Sequence, residues 1–160
     1  MSSTIVIRVI AATIFGSGVL AALALFLSAG RFAPVRVLFP AAALLPLLFW
    51  IAVSGIGLWL WRGSRRSRTA ASVLLASQIP VVAAGDVTYW WHTLAQVAIT
   101  VQYVSGQTLL AAATKLGPAA NFWFGRPNPS TTVGINLVAV VCLVALLRSS
   151  KTAQRDPPSV

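Results

Sequence analysis

Residues 93–117, TLAQVAITVQYVSGQTLLAAATKLG, decide how many times this apolar chain crosses a membrane. The segment is long enough for a span, but it contains three glutamines, Gln96, Gln102 and Gln107. Apolar side chains occupy every second position from 97 to 103, which is the period of a half-buried strand. Ser105-Gly106 then suits a tight turn. We therefore predict an external loop with a small β-hairpin or meander, the alternative being an interfacial helix.

The composition indicates a chain that resides in a membrane. Of its 160 residues, 58% are hydrophobic and only 9% are charged, and the mean hydropathy is +0.84. A soluble domain carries roughly a quarter charged residues, so this surface is too poor in charge for water. The net charge of +10 would suggest nucleic acid as the partner of a soluble protein. Here the basic residues flank apolar runs, which favours a role in orientation and lipid contact and argues against nucleic acid.

Four apolar segments predict an all-α integral membrane protein with four transmembrane helices. A charge-free run of 20 residues is enough to cross a hydrocarbon core of roughly 30 Å. The predicted spans are 9–30, 37–61, 69–85 and 130–147. Residues 87–129 would form the external loop, and 149–160 a disordered tail. The whole chain, 1–160, is expected to be a single membrane domain.

The distribution of basic residues predicts that both termini are cytoplasmic. With the amino terminus inside, eight of the twelve Lys and Arg residues lie on the cytoplasmic side. Such an excess marks the inner face of a membrane protein. The pattern is typical of a small bacterial inner-membrane protein. The residues assigned to topology and to contact with anionic lipid are Arg62, Arg65, Arg66 and Arg68.

Aromatic residues mark the predicted ends of the spans, because Trp and Tyr are enriched at membrane interfaces. The stretch GDVTYWWHTLAQ, 85–96, lies at the outer end of the third span and contains the only histidine, His92. Its acid and histidine are interpreted as an interface residue and a loop residue, although an ion pair or a quinone-like site would also suit them. The predicted interface anchors are Trp59, Trp61, Asp86, Tyr89, Trp90 and Trp91.

The external loop is the predicted partner-binding region. It carries a large apolar surface with few charges, and a loop without a core of its own must bury that surface. Open strand edges are poorly accommodated by lipid, so a neighbouring protein is the expected partner. The residues assigned to this contact are Tyr103, Phe122, Trp123 and Phe124.

Groups for catalysis and for metal binding are almost absent from the sequence. One Cys, one His and two Asp provide neither a ligand cluster nor a catalytic set, and Cys142 lies in an apolar run. We expect a non-catalytic accessory or scaffolding subunit of a larger respiratory, photosynthetic or transport complex, without a metal. The partners would be the lipid bilayer and other membrane subunits or further copies of the chain. A quinone or pigment would be contacted only through the complex. The alternatives are a quinone-binding redox subunit and a small oligomeric transporter or channel with Gln78 and Asn136 along its path.

Overall fold

Two long helices form the first part of the chain, α1 (Ser3–Ala29) and α2 (Phe39–Trp61). Within them, the segments Thr4–Leu27 and Leu44–Trp61 are long and apolar enough to cross a membrane, judged by length and composition. The first lies near the amino terminus, where a signal sequence would show the same properties. The computed structural model describes residues 3–29, 39–93, 95–125 and 128–155.

The rest of the chain combines two shorter helices with a six-stranded sheet. After a turn at Gly63, α3 covers Arg65–Ser77, and α4 covers Leu137–Arg155. The strands are β1 (Pro80–Ala84), β2 (Val87–His92), β3 (Ala95–Val104), β4 (Gln107–Leu116), β5 (Ala119–Phe124) and β6 (Thr131–Asn136). Every pairing is antiparallel, and the strand order is β4-β3-β6-β1-β2-β5. The fold is therefore mixed α and β.

The prediction of an all-α protein with four transmembrane helices is wrong. The third predicted span, 69–85, is helical only as far as Ser77 and continues as strand β1. Pro80 lacks the N–H that a helix would need and disfavours helical backbone at Ile79. Gln78 ends the helix, with its backbone N–H donating to the Leu75 carbonyl at 3.1 Å.

The fourth predicted span, 130–147, divides in the same way between strand β6 and helix α4. The run Thr131-Thr132-Val133 is β-branched and fits the pleat of a sheet. The helix begins only after Asn136, whose side-chain oxygen accepts a hydrogen bond from the Val138 N–H at 3.2 Å. From there α4 runs to Arg155, into the predicted tail, and residues 156–160 lie outside the described residues.

The predicted external loop, 87–129, is mostly sheet. Strands β3 and β4, of ten residues each, form a hairpin around Ser105 and Gly106, which both have positive φ, +49° and +83°. This is the backbone of a tight hairpin turn, and glycine adopts it without a steric cost. The expected hairpin is thus one part of a sheet that also includes β1, β2, β5 and β6.

The core lies where the four helices meet and where the sheet packs against α2. Its buried side chains include Ile14 on α1, Trp50 on α2, Leu75 on α3 and Leu146 on α4, and Trp91 joins them from β2. The ring of Phe49 meets the ring of Trp91 edge to face, with centroids 5.0 Å apart. This contact fixes the sheet against the second apolar helix.

Candidate functional site

The sheet curls strongly, and the chain itself requires it. Only residues 93 and 94 link β2 to β3, yet β6 and β1 lie between these strands in the sheet. Three strand spacings of about 4.8 Å would separate them by about 14 Å in a flat sheet. The three steps from His92 to Ala95 reach at most about 11 Å. Consistent with a curl, the Lys115 ammonium of β4 lies 3.7 Å from the centre of a Trp90 ring on β2.

The curl gives the sheet an inner and an outer face with opposite chemistry. Directly paired residues share a face, so the strand registers assign each side chain to one of the two faces. The inner face contains Thr88, Trp90, His92, Gln96, Ala98, Thr100, Lys115, Gly134 and Asn136. The outer face contains Tyr89, Trp91, Val97, Ile99, Val101, Tyr103, Leu110, Ala112, Phe122, Phe124, Val133 and Ile135. Polar groups thus line the inside of the curl.

His92 is the focus of the inner face. Its side chain is fully buried at the end of β2, and its ring is stacked on Trp90 with centroids 6.0 Å apart. Neither Nδ1 nor Nε2 has a hydrogen-bond partner among the described residues. Burial lowers the pKa of His92 from its ordinary value of 6.5, and the charge of Lys115 lowers this pKa further. The imidazole is therefore neutral at pH 7, with one N–H donor and one free lone pair.

Asn136 lies on the same inner face as His92. It pairs with Ala98 of β3, and its N–H donates to the carbonyl of Ile79 at 2.8 Å. The Asn136 side chain is fully buried, and its Nδ2 has no hydrogen-bond partner among the described residues. A buried polar group left without a partner costs about 1–3 kcal/mol. His92 and Asn136 therefore both leave buried polar atoms without a partner on the inner face among the described residues.

The side chain of Gln78, by contrast, makes hydrogen bonds through both its oxygen and its nitrogen. Its side-chain oxygen accepts hydrogen bonds from the N–H and the hydroxyl of Thr93 at 3.0 and 3.4 Å. Its amide nitrogen donates to the carbonyl of Leu74 at 3.4 Å. The residue thereby ties the short β2–β3 link to the end of α3, which holds the curl in place.

An apolar groove of about 1100 Å³ lies between the two long helices and the edge strand β5. Leu20 and Leu25 of α1, and Phe49 of α2, line one side. Ala119 and Asn121 of β5 line the other side, and they pair with His92 and Trp90 respectively. The groove therefore reaches the strand that adjoins the buried histidine.

The predicted anchors fall into two groups. Trp59 and Trp61 are exposed at the end of α2, where the Arg8 guanidinium lies 5.7 Å from a Trp61 ring centre. Arg62 is exposed in the adjoining turn, Arg65 and Arg66 are exposed at the start of α3, and Arg68 is half-buried. Asp86 is exposed in the β1–β2 turn.

The other anchors are structural contacts of β2. The Tyr89 hydroxyl and the Trp91 Nε1–H both donate to the Ser77 carbonyl, at 2.7 and 3.1 Å. Trp90 stacks on His92 and holds Lys115. His92, predicted to be a loop residue, is instead buried in the sheet.

The predicted partner-binding residues lie on β3 and β5. Tyr103, Phe122 and Phe124 are exposed on the outer face, Phe124 with 76% of its side chain accessible. The side chain of Trp123 lies outside the described residues. Sequence reasoning missed Lys115, Gln96 and Thr100. The sequence did contain a signal for two of them. Polar residues at 96, 100 and 102 alternate with apolar ones, so in a strand these polar side chains must share one face.

Comparisons of the chain with protein-family models, with curated proteins and with solved structures find no match. Within the described residues, no group of three or more His, Cys, Asp or Glu side chains comes together to hold a metal ion.

Proposed function

We propose that this chain is a non-catalytic scaffolding protein, anchored in a membrane by α1 and α2, that joins a larger assembly through its sheet. The observation that carries the proposal is edge strand β4. Among the described residues it pairs on one side only, with β3, and nine of its ten residues are exposed. Its single charge is Lys115, and Leu110 and Leu116 are 77% and 85% exposed.

A long apolar edge of this kind is a template for pairing with another strand. Soluble proteins protect such edges with charges, prolines or bulges, because unpaired N–H and C=O groups recruit further strands. Lipid offers these groups no hydrogen bonds, so an open edge is also unfavourable next to hydrocarbon. A protein strand satisfies both the backbone groups and the apolar side chains.

A second copy of the chain is the partner that β4 fits best. A two-fold axis at Ala112 would pair β4 with its own copy in an antiparallel ladder and keep the outer faces on one side. Small alanines at 111–113 occupy the centre. Lys115 would lie opposite Leu109 of the partner copy, so the two ammonium groups stay roughly 20 Å apart. No like charges oppose each other.

Charge pairs at Ala112 test this interface. Ala112→Lys and Ala112→Glu each place like charges opposite each other across the axis, so each variant should be monomeric in mild detergent. A mixture of the two variants should restore the dimer, measured by native mass spectrometry. Ala120, exposed on the other edge strand β5, gives the matched control, and its charged variants should dimerise normally.

Monomeric wild-type protein from native membranes, or loss of the dimer with the Ala120 variants, would contradict the proposal. Capture of a different polypeptide on β4 would replace self-pairing with a foreign subunit. A quinone or another lipid-soluble molecule that co-purifies in the α1–α2–β5 groove would favour the alternative function of a ligand-binding redox subunit.

The orientation forms part of the same proposal, with both termini and the α2–α3 turn in the cytoplasm. The first turn of α3 contains Arg65, Arg66 and Arg68 and no acid. Positive charge is unfavourable at a helix amino terminus, and anionic lipid phosphates at the inner leaflet would offset it. This supports a membrane-facing turn.

Thiol labelling in intact cells tests the orientation. In a Cys142→Ala background, cysteines at Arg66 and at Gln107 should both be shielded from an impermeant maleimide, because both positions follow α2 on the cytoplasmic side. A cysteine at Ala33, in the segment between α1 and α2, should react. Arg66 and Gln107 are exposed on the protein surface, so burial does not explain their shielding. The reverse labelling pattern would overturn the orientation, and equal labelling would contradict the membrane anchor.

A further inference from the structure

We propose that the inner face of the curled sheet binds the carboxylate of a fatty-acid-like amphiphile between Lys115 and His92, with the apolar chain in the α1–α2–β5 groove. The proposal goes beyond scaffolding and does not depend on dimer formation. It rests on three observations: buried polar groups of His92 and Asn136 without a partner among the described residues, the nearby charge of Lys115, and a groove lined by the β5 residues that pair with His92 and Trp90.

The unused groups of the inner face are chiefly donors. The side-chain oxygen of Asn136 already accepts a hydrogen bond from the Val138 N–H. The Nδ2 of Asn136, which has no partner among the described residues, can only donate. Neutral His92 offers one N–H, and the Lys115 ammonium offers N–H groups and no acceptor. A ligand that satisfies this set must present several acceptor oxygens close together.

The charge of the site favours a monoanion. Lys115 is held 3.7 Å from a Trp90 ring centre by attraction to the ring face, and no salt bridge with a described acid accompanies it. The amino terminus of α4 begins directly after Asn136 and has no acid in its first turn, so its dipole adds positive potential. One carboxylate balances one ammonium, whereas a phosphate dianion would leave an uncompensated charge in a partly buried site.

The groove identifies the rest of the ligand. His92 pairs with Ala119 and Trp90 pairs with Asn121, and both β5 residues line the groove. The opposite wall consists of apolar side chains of α1 and α2, including Leu20, Leu25 and Phe49. The volume of about 1100 Å³ exceeds what a small anion needs and accommodates a hydrocarbon chain.

The single histidine makes a direct test possible, because every imidazole signal in an NMR spectrum of the full chain belongs to His92. The protein in a non-ionic detergent is titrated with decanoate, with acetate, and with decanol as the uncharged counterpart. Decanoate should shift the His92 ring signals saturably and raise the pKa of the imidazole. Decanol should leave that pKa unchanged, and acetate should bind at least about tenfold more weakly because it lacks the chain.

The two lysines of the chain, Lys115 and Lys151, provide a matched pair of variants. Lys115→Gln should weaken decanoate binding about tenfold or more, because a charge-assisted hydrogen bond is lost. Lys115→Arg keeps the charge and should retain binding. Lys151→Gln removes the same charge near the far end of α4 and should bind decanoate normally.

Three results would overturn the proposal. They are an unresponsive His92 in every titration, equal responses to decanol and decanoate, and equal weakening by Lys115→Gln and Lys151→Gln. Equal affinity for acetate and decanoate would overturn the groove as the site of the chain. The unliganded His92 spectrum of each variant shows whether the stack on Trp90 is intact, so misfolding is distinguished from loss of binding.

Discussion

Gly57→Ala is expected to destabilise the helix pair by about 1–3 kcal/mol, whereas Gly55→Ala, two residues away, should be neutral or stabilising. A Cβ at Gly57 would overlap the backbone of Phe15, with its Cα at 2.8 Å, and would lie 2.9 Å from the Ala11 carbonyl oxygen. At Gly55 the same atom meets open space. Alanine is otherwise the better helix residue by about 1 kcal/mol, so the two variants should differ in sign.

The measurement is thermal unfolding in detergent, followed through the near-ultraviolet signal of the tryptophans. Gly18→Ala and Gly16→Ala repeat the comparison from the opposite helix. A Cβ at Gly18 would lie 2.7 Å from the Ser54 nitrogen, and one at Gly16 has nothing within 4 Å. Similar midpoints for Gly57→Ala and Gly55→Ala would contradict the close backbone contact between α1 and α2.

These glycines show how far the sequence could predict helix packing. The spacing of small residues on α1 predicts close contact with another helix, but it includes Gly16 and Gly18 alike. Only the rotation of α1 against α2 places Gly18 in the contact and Gly16 outside it. Both helices are low in polarity all round, so periodicity could not indicate which side faces the partner.

The third and fourth predicted spans failed because hydropathy does not distinguish a buried strand from a helix. An apolar run of five to eight residues is compatible with a strand or with a helix. When such a strand directly adjoins an apolar helix, the two together have the length of a transmembrane span. Local signals favoured the break in both cases. They were Pro80 directly after a helix end, and the β-branched run 131–133 before Asn136.

The site was harder to predict, since the alternation in β3 defines two faces without saying which is buried. A strand in water buries its apolar side. Here Gln96 and Thr100 are buried, whereas Ile99 and Tyr103 are exposed. The inversion follows from the curl, which closes β3 and β4 over β2 and depends on the two-residue link at 93–94.

Gly134→Ala should open this curl. Of all positions in the sheet, we expect an added methyl group to lower stability most at Gly134. Gly134 pairs with Thr100 on one side and Val81 on the other. An added Cβ would overlap the Ile99 carbonyl oxygen and would lie 2.8 Å from the Thr100 Cα. These are backbone atoms of β3, so the strand itself must move. Alanine is intrinsically favoured over glycine in a strand by about 0.5–1 kcal/mol, so any loss of stability reports the overlap.

We expect Gly134→Ala to destabilise the protein by about 1–3 kcal/mol and also to change the surroundings of His92. Because β3 carries β4, displacing it should withdraw Lys115 from Trp90 and admit water to His92. Burial and the Lys115 charge both lower the pKa of His92, so this pKa should rise towards 6.5 in the variant, as measured by NMR titration. Thr132→Ala, on the same strand and face, removes atoms instead of adding one and should leave the pKa of His92 where it is. A Gly134→Ala protein that keeps both its stability and the lowered pKa of His92 would show that β3 and β6 do not approach as closely as the curl requires.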